Sequence, residues 1–259
     1  MLCMLGGMPT PRDRARLQTM QEIVEIGRRH LAEQGAAALS LRAVARDLGV
    51  VSSAVYRYVK SRDELLTLLV VAGYDELGDA VDAAVGGVPE DRHRERFLAL
   101  GRAVRTWALA EPATYALLYG GPVPGYAAPG DRTTAPGTRV PRTMLEIAAA
   151  ARAAGRLEPP PPARVTKALA TGLDGVRDQF DVDLPDAALV RGALVWSALF
   201  GAVSFEVFGQ YGPDRLGDPE DLFEHHLAAL ADDLGLVPAR DLAEAGAAVD
   251  NTGADRRNS

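Results

Sequence analysis

The 259-residue chain carries 28 basic and 35 acidic residues, a net charge of −7, and is 47% hydrophobic. That is the balance of a soluble globular protein, long enough for a small unit plus a larger domain with its own core. A single cysteine, Cys3, excludes an internal disulfide or a cysteine-based metal site and fits a reducing cytoplasm. The longest nearly apolar run, Gly192 to Phe205, falls short of the roughly 20 residues a bilayer requires.

The charge is unevenly spread. Between Arg12 and Arg62 stand ten basic and five acidic residues, a local excess of +5, which leaves −12 on the remainder. A basic end on an acidic body suits contact with a polyanion at one end and repulsion of stray nucleic acid elsewhere.

In chain order, residues 1–11 lack a basic segment ahead of their apolar residues, so they read as a disordered tail and not as a signal peptide. A helix follows from about Arg12 to Gln34, with Leu17, Met20, Ile23, Val24, Gly27 and Leu31 inward and Gly35 at its end. Arg12, Arg14 and Arg16 stand where they can reach phosphates or form a solvated arm. From Ser40 to Leu66 the chain reads SLRAVARDLGVVSSAVYRYVKSRDELL. Ser40 caps a short helix that buries Leu41, Val44, Ala45 and Leu48, and Gly49 makes the turn. A second short helix buries Val51, Val55 and Val59 and turns Ser52, Ser53, Tyr56 and Arg57 outward. Two hydroxyls, a phenol and a guanidinium on one exposed face suit a DNA major groove and its phosphate walls.

Ser61 caps a long helix to about Val85, with Val70, Val71, Tyr74 and Leu77 facing a larger domain, so that one helix serves two domains. Helices follow over about 89–110 and 112–119. Residues 120–141 hold five glycines and five prolines in 22 positions and predict a long irregular loop, either a functional lid or an exposed insertion. Further helices are expected over about 140–154 and 163–180, then from an Asp186 cap to about Phe208, and last from an Asp218 cap to near Gly235. Pro159 to Pro162 form a stiff spacer, and residues 238–259 read as a second disordered tail. The fold class is all-α: a three-helix DNA-binding domain at 12–62 and a larger helical domain at 63–237.

The stretch LSLRAVARDLGV, then SSAVYRYV, then SRDELL resembles the helix-turn-helix of the TetR family of transcriptional regulators. ATYALLYGGPVPGY together with WSALFG is similar to the WHG-type C-terminal ligand-binding domain found in such regulators, with Phe200 where that pattern has His. The departures in the first motif are Val51 for Ser or Thr, Ser52 for Pro, and Tyr58-Val59 for His-Phe; with Val51 unable to cap, Ser52 takes that role. The resemblance implies a homodimer on double-stranded operator DNA. It places Tyr56 and Tyr58 on phosphates with Ser40 and Lys60 nearby, and Ser52 and Ser53 nearest the bases; Arg42 and Arg57 complete the expected contacts.

In the larger domain, Ala193, Ser197 and Gly201 form a small-residue stripe, and Phe223, Leu227, Leu230 and Leu234 recur at coiled-coil-like spacing. Both sets are expected at a four-helix dimer interface. The other face of the Trp196 helix, with Leu199, Phe200 and Val203, is expected to line a pocket for a hydrophobic small molecule. Trp107, Tyr115, Leu118, Met144 and Ile147 supply further wall, and Tyr74 and Tyr119 supply polar groups.

Two rival classes fare worse. An enzyme finds no HExxH, phosphate loop or GxSxG among these residues, and the adjacent His225 and His226 cannot share a helix face. A helical protein-interaction module leaves the charge split and the outward Ser52, Ser53, Tyr56 and Arg57 unexplained. The expectation is a cytoplasmic, ligand-responsive regulator, a repressor, without metal, cofactor or membrane partner.

Overall fold

The computed structural model describes residues 10–159, 164–212 and 216–236. The expected tails before residue 10 and from 238 onward, Cys3 and most of the proline spacer lie outside the described residues. Within them the chain is helical: eleven α-helices, one 3-10 turn and an isolated antiparallel bridge between Leu157 and Leu236, with no strand.

Two compact units emerge, and they are not contiguous in sequence: residues up to Asp75 with Glu111–Gly137, and Glu76–Ala110 with the chain from Thr138 onward. The expected contiguous split at residue 62 is not the division by contacts. The reason lies in the first unit, where Ala113, Leu117, Val123 and Tyr126 pack against the same core as the N-terminal helices.

In the first unit, α1 (Pro11–Gln34) opens on a capping box, Thr10 accepting from the Asp13 N–H while Asp13 accepts from that of Thr10. Thr10 and Pro11 therefore belong to the helix start and not to a tail. Ile23, Ile26, Gly27, His30 and Leu31 face inward; Leu17, expected with them, is 59% exposed because it lies beyond the reach of the three-helix core. α2 (Leu41–Asp47) and α3 (Ser52–Tyr56) pack on α1 through Leu41, Val44, Ala45 and Val55. α4 (Arg62–Gly86) adds Leu65, Leu66 and Leu69 to that core and continues unbroken into the second unit. α6 (Pro112–Tyr119) lies on α1.

The glycine- and proline-rich stretch is not wholly irregular. It contains α7 (Gly130–Gly137), which stays helical although Pro136 cannot donate an i→i−4 bond within it. Ahead of it, Tyr126 is half-buried and its hydroxyl lies 3.1 Å from that of Thr67 on α4.

The second unit is built around α5 (His93–Ala110), α8 (Arg139–Ala153), α10 (Asp186–Val207) and α11 (Pro219–Leu234), with α9 (Lys167–Phe180) against α10. Gly101 lets α5 and α11 approach closely: a Cβ there would stand 2.3 Å from Leu227 Cδ1. Arg105 joins α5 to α10 through two hydrogen bonds to Glu206, at 2.8 and 2.7 Å, with both side chains largely buried. α9 starts at a Thr166 cap and ends at Asp181, which takes the left-handed conformation. The residue capping α10 is Pro185, and Asp186, expected there, is instead its first residue and pairs with Arg177. Asp218 caps α11 as expected, accepting from the Glu220 N–H.

At 22 residues α10 is long and apolar enough to cross a membrane by length and composition, in contrast to the shorter run read from the sequence. Here its buried face, Ala188, Leu189, Gly192, Val195, Leu199, Phe200 and Val203, is packed in a helical core.

Candidate functional site

The helix-turn-helix is held from inside and free outside. Gly49, at φ +72°, makes the left-handed turn between α2 and α3, a conformation that disfavours any residue with a Cβ. Ser53, Tyr56 and Arg57 are exposed on α3 and Ser52 is half-buried. Val51 departs from the expected inward face: it sits at the N-cap position, 71% exposed, with no side-chain capping bond made there by itself or by Ser52. The three valines at spacing four cannot all point inward, because the helix begins only after the first. Ser40 likewise occupies the cap of α2 without making the capping bond, so its hydroxyl is not committed to the helix.

Lys60 is positioned through its backbone. Its N–H donates to Glu64 Oε2 at 2.6 Å while Ser61 Oγ accepts from the Glu64 N–H at 3.1 Å, leaving the Lys60 side chain exposed. Tyr58 is half-buried, and the Arg16 guanidinium lies 5.7 Å from its ring centre. Among the described residues, Arg12, Arg14, Arg42, Arg57 and Lys60 have no carboxylate partner. Beneath them, buried His30 places Nε2 2.7 Å from Asp47 Oδ2, tying α1 to α2; that contact holds the Asp47 carboxyl below the usual carboxylate range.

The expected pocket residues fall into separate groups. In the first unit Tyr74, Tyr115 and Tyr119 pack on one another, with ring centres 6.0 Å apart for Tyr74–Tyr119 and 5.1 Å for Tyr115–Tyr119. Leu118 lies beside them, over Gly73. Burial pushes the Tyr119 phenol well up, and that of Tyr74 as well.

In the second unit a cavity of about 260 Å³ opens between α8, α9 and α10. Met144 and Trp196, both expected, line it with Leu145, Leu173, Val176 and Phe180. Ala193, expected at a dimer face, lines it too. Ile147, Leu199 and Val203 are core instead, and Phe200 is buried with its ring 6.1 Å from that of Trp196. Trp107 is buried beside a different depression, shared with alanines of α4 and α5, and its Nε1 has no hydrogen-bond partner.

A third hollow of about 370 Å³ runs along the outer surface of α10 and α11, lined by Ala198, Gly201, Ala202, Phe205, His226 and Leu230. Gly201 and Leu230 were expected on such a face. Ser197 is exposed nearby, its hydroxyl donating to the Ala193 carbonyl at 2.8 Å. Phe223, Leu227 and Leu234 were expected there and are not: they are 3%, 0% and 4% exposed, filling the chain's own core beside α5. A coiled-coil-like spacing identifies an apolar face but not which helix covers it, and Gly101 makes α5 the closer partner.

The family model described as bacterial regulatory proteins of the tetR family matches residues 23–69, and that of the tetracyclin repressor-like C-terminal domain matches 97–230. An HTH-type transcriptional regulator of Mycobacterium bovis is 47% identical over 215 residues, covering 81% of this chain and 89% of the relative. The chain belongs to the TetR family. A counterpart in Mycobacterium tuberculosis matches to the same extent. Among solved structures, a regulatory protein 35% identical superimposes with a TM-score of 0.68 over 85% of this chain and 98% of its own. A TetR family transcriptional regulator from Thermus thermophilus, at 17% identity, shares the fold with a TM-score of 0.52, over 83% of this chain and 99% of its own.

As a TetR-family protein, the chain is a DNA-binding transcriptional regulator, and residues 23–69 place α2 and α3 inside the family's DNA-binding module. Several residues of the α8–α9–α10 cavity were missed in the sequence: Leu173, Val176 and Phe180 all come from α9. Their spacing of three and four is visible in KALATGLDGVRDQF, but it marks only an apolar stripe. That the stripe borders a hollow depends on which residues of α8 and α10 complete the lining, small Ala193 among them.

Proposed function

We propose that this TetR-family regulator acts as a homodimeric repressor in the cytoplasm, binding a two-fold-symmetric operator and leaving it when a hydrophobic small molecule binds. The carrying observation is the outward side of the helix-turn-helix, where Ser53, Tyr56, Arg57 and Lys60 are exposed and the cations have no carboxylate partner among the described residues. Such a surface answers phosphate walls and groove edges.

Within the 12–62 module, Tyr56, Tyr58, Ser40, Arg42 and Lys60 contact phosphates, while Ser52, Ser53 and Arg57 approach the bases. Val51 joins them: an exposed branched apolar group at the start of α3 suits the methyl of a thymine. Two copies are required because one short helix reads few base pairs, and the paired helices must lie about 34–36 Å apart to meet successive major grooves. The apolar hollow along Gly201, Phe205 and Leu230 supports pairing through α10 and α11. Helix α4, unbroken from Arg62 to Gly86, offers a continuous path between the ligand-binding unit and the DNA-binding unit.

A mobility-shift titration with the DNA flanking the regulator's own gene tests this reading. It predicts a salt-sensitive, sequence-selective complex of two protomers, weakened by a hydrophobic effector, with DNA weakening effector binding by the same factor. Binding by a monomer, or equal affinity for unrelated duplexes, would refute it.

A further inference from the structure

We infer that the cavity between α8, α9 and α10 is the effector site and that it takes a small, uncharged, planar aromatic molecule. The inference rests on the ligand-responsive reading above and adds to it a place and a chemical class.

The lining decides the charge. No Asp, Glu, Lys or Arg borders the cavity; its polar side chains are Thr138 and Gln179. A carboxylate or ammonium entering it would give up hydration without gaining a counter-ion, which favours an uncharged occupant. One flanking cation, Arg142, is used elsewhere. Its guanidinium lies 5.1 Å from the Phe180 ring centre and donates to the Gln179 carbonyl at 3.2 Å and the Phe180 carbonyl at 3.5 Å, fixing the end of α9.

Shape and size decide the rest. Phe180 and Trp196 present rings from α9 and α10, and the thioether of Met144 adds a polarizable contact. Ala193 adds only a methyl to the α10 wall, and Gly192 beside it lets α10 sit close to α8, where a Cβ would stand 3.3 Å from Leu145 Cδ2. A volume of about 260 Å³ lies just under the roughly 300–1,000 Å³ typical of ligand pockets, so the occupant is one or two fused rings and not a long chain. A hydroxyl or carbonyl on such a ring finds Thr138 or Gln179.

The chain has only two tryptophans, which makes the site directly readable. Trp107→Phe removes an indole whose Nε1 has no hydrogen-bond partner, leaving Trp196 as the sole reporter. With that variant, calorimetry and Trp196 emission are followed on addition of 1-naphthol, or of 1-naphthoate as its charged counterpart. The expected result is saturable binding of 1-naphthol, one per protomer, with a matching change in Trp196 emission and at least tenfold weaker binding of 1-naphthoate. Ala193→Phe and, independently, Val176→Phe fill the cavity and abolish the naphthol signal at unchanged helical circular dichroism. Equal binding of the two compounds, or undiminished binding to both filled variants, would overturn the assignment. Operator release by another compound from a protein that binds no naphthol would also overturn it while leaving ligand-responsive repression standing. Naphthol that occupies the cavity without changing operator affinity would show a binding site there and overturn its assignment as the effector site.

Discussion

Gly201→Leu separates assembly from folding. Gly201 lies on the outward hollow of α10 and α11, and a Cβ built there meets nothing within 4 Å in its own protomer. Within one chain the substitution therefore starts into open space at Cβ, and replacing a mid-helix glycine with leucine adds about 0.7 kcal/mol of helix propensity. In a dimer paired through this face, each copy inserts an isobutyl group where two backbones approach. Overpacking costs about 1–3 kcal/mol per site, so two sites cost about 2–6 kcal/mol, a weakening of roughly thirty-fold to ten-thousand-fold. Sedimentation velocity over a concentration series measures the dimer, and thermal unfolding of the dilute protein reports the protomer. The expected pair of results is a monomeric variant whose unfolding temperature is unchanged or higher. Gly101→Leu is the opposite control, since its Cβ would strike Leu227 Cδ1 in the same chain and lower the unfolding temperature. A Gly201→Leu protein that remains as dimeric as its parent would refute pairing through this face.

Three further outcomes are expected. Lys60→Ala removes one phosphate contact per protomer, so the log–log salt slope of operator binding flattens by about 1.8 for the dimer, making affinity about tenfold less sensitive to a change from 50 to 200 mM salt; a slope unchanged in mobility-shift titrations would remove Lys60 from the interface. Glu206→Gln leaves Arg105 mostly buried without its anion and lowers stability by about 3 kcal/mol, read as a lower urea midpoint at unchanged m-value. The depressed Asp47 carboxyl contributes stability that is fully present above its unfolded value and lost as pH falls through the folded one; Asp47→Asn should flatten the acid limb of the stability curve, and an unaltered limb would show that the His30 contact is not responsible.

What was legible in the sequence is what local physics decides. The Ser40–Leu66 stretch could be read because its apolar period, turn glycine and capping residues all act within a few positions of one another. Val51 was misplaced since periodicity assumes a helix already under way, whereas α3 begins only at Ser52. Residues 120–141 looked irregular from their glycines and prolines, yet Gly130–Gly137 is helical with Pro136 inside it. The greater losses were in deciding which neighbour covers an apolar face. Leu227 and Phe223 have the spacing of an intersubunit seam and instead fill the protomer's interior, because Gly101 on α5 leaves the room. The tyrosines and tryptophans expected at one pocket were grouped by residue type; Tyr74, Tyr115 and Tyr119 belong to the first unit and Trp196 to the second.

Charge shows why a count alone understates the site. Arginine supplies nearly all the basic residues in both units, yet the share of it tied to carboxylates differs between them. In the second unit Arg94, Arg102, Arg105, Arg139, Arg152 and Arg177 each pair with an acidic side chain, so these cations fasten helices and add little outward field. In the first, Arg12, Arg14, Arg42, Arg57 and Lys60 have no such partner among the described residues. The excess of +5 between Arg12 and Arg62 is therefore concentrated in exposed, uncompensated side chains. A phosphate backbone responds to cations it can reach and whose ion pairs it need not break. By that measure the contrast between the two ends of this regulator is sharper than its net charges imply, and the acidic body can be rich in arginine without competing for the DNA.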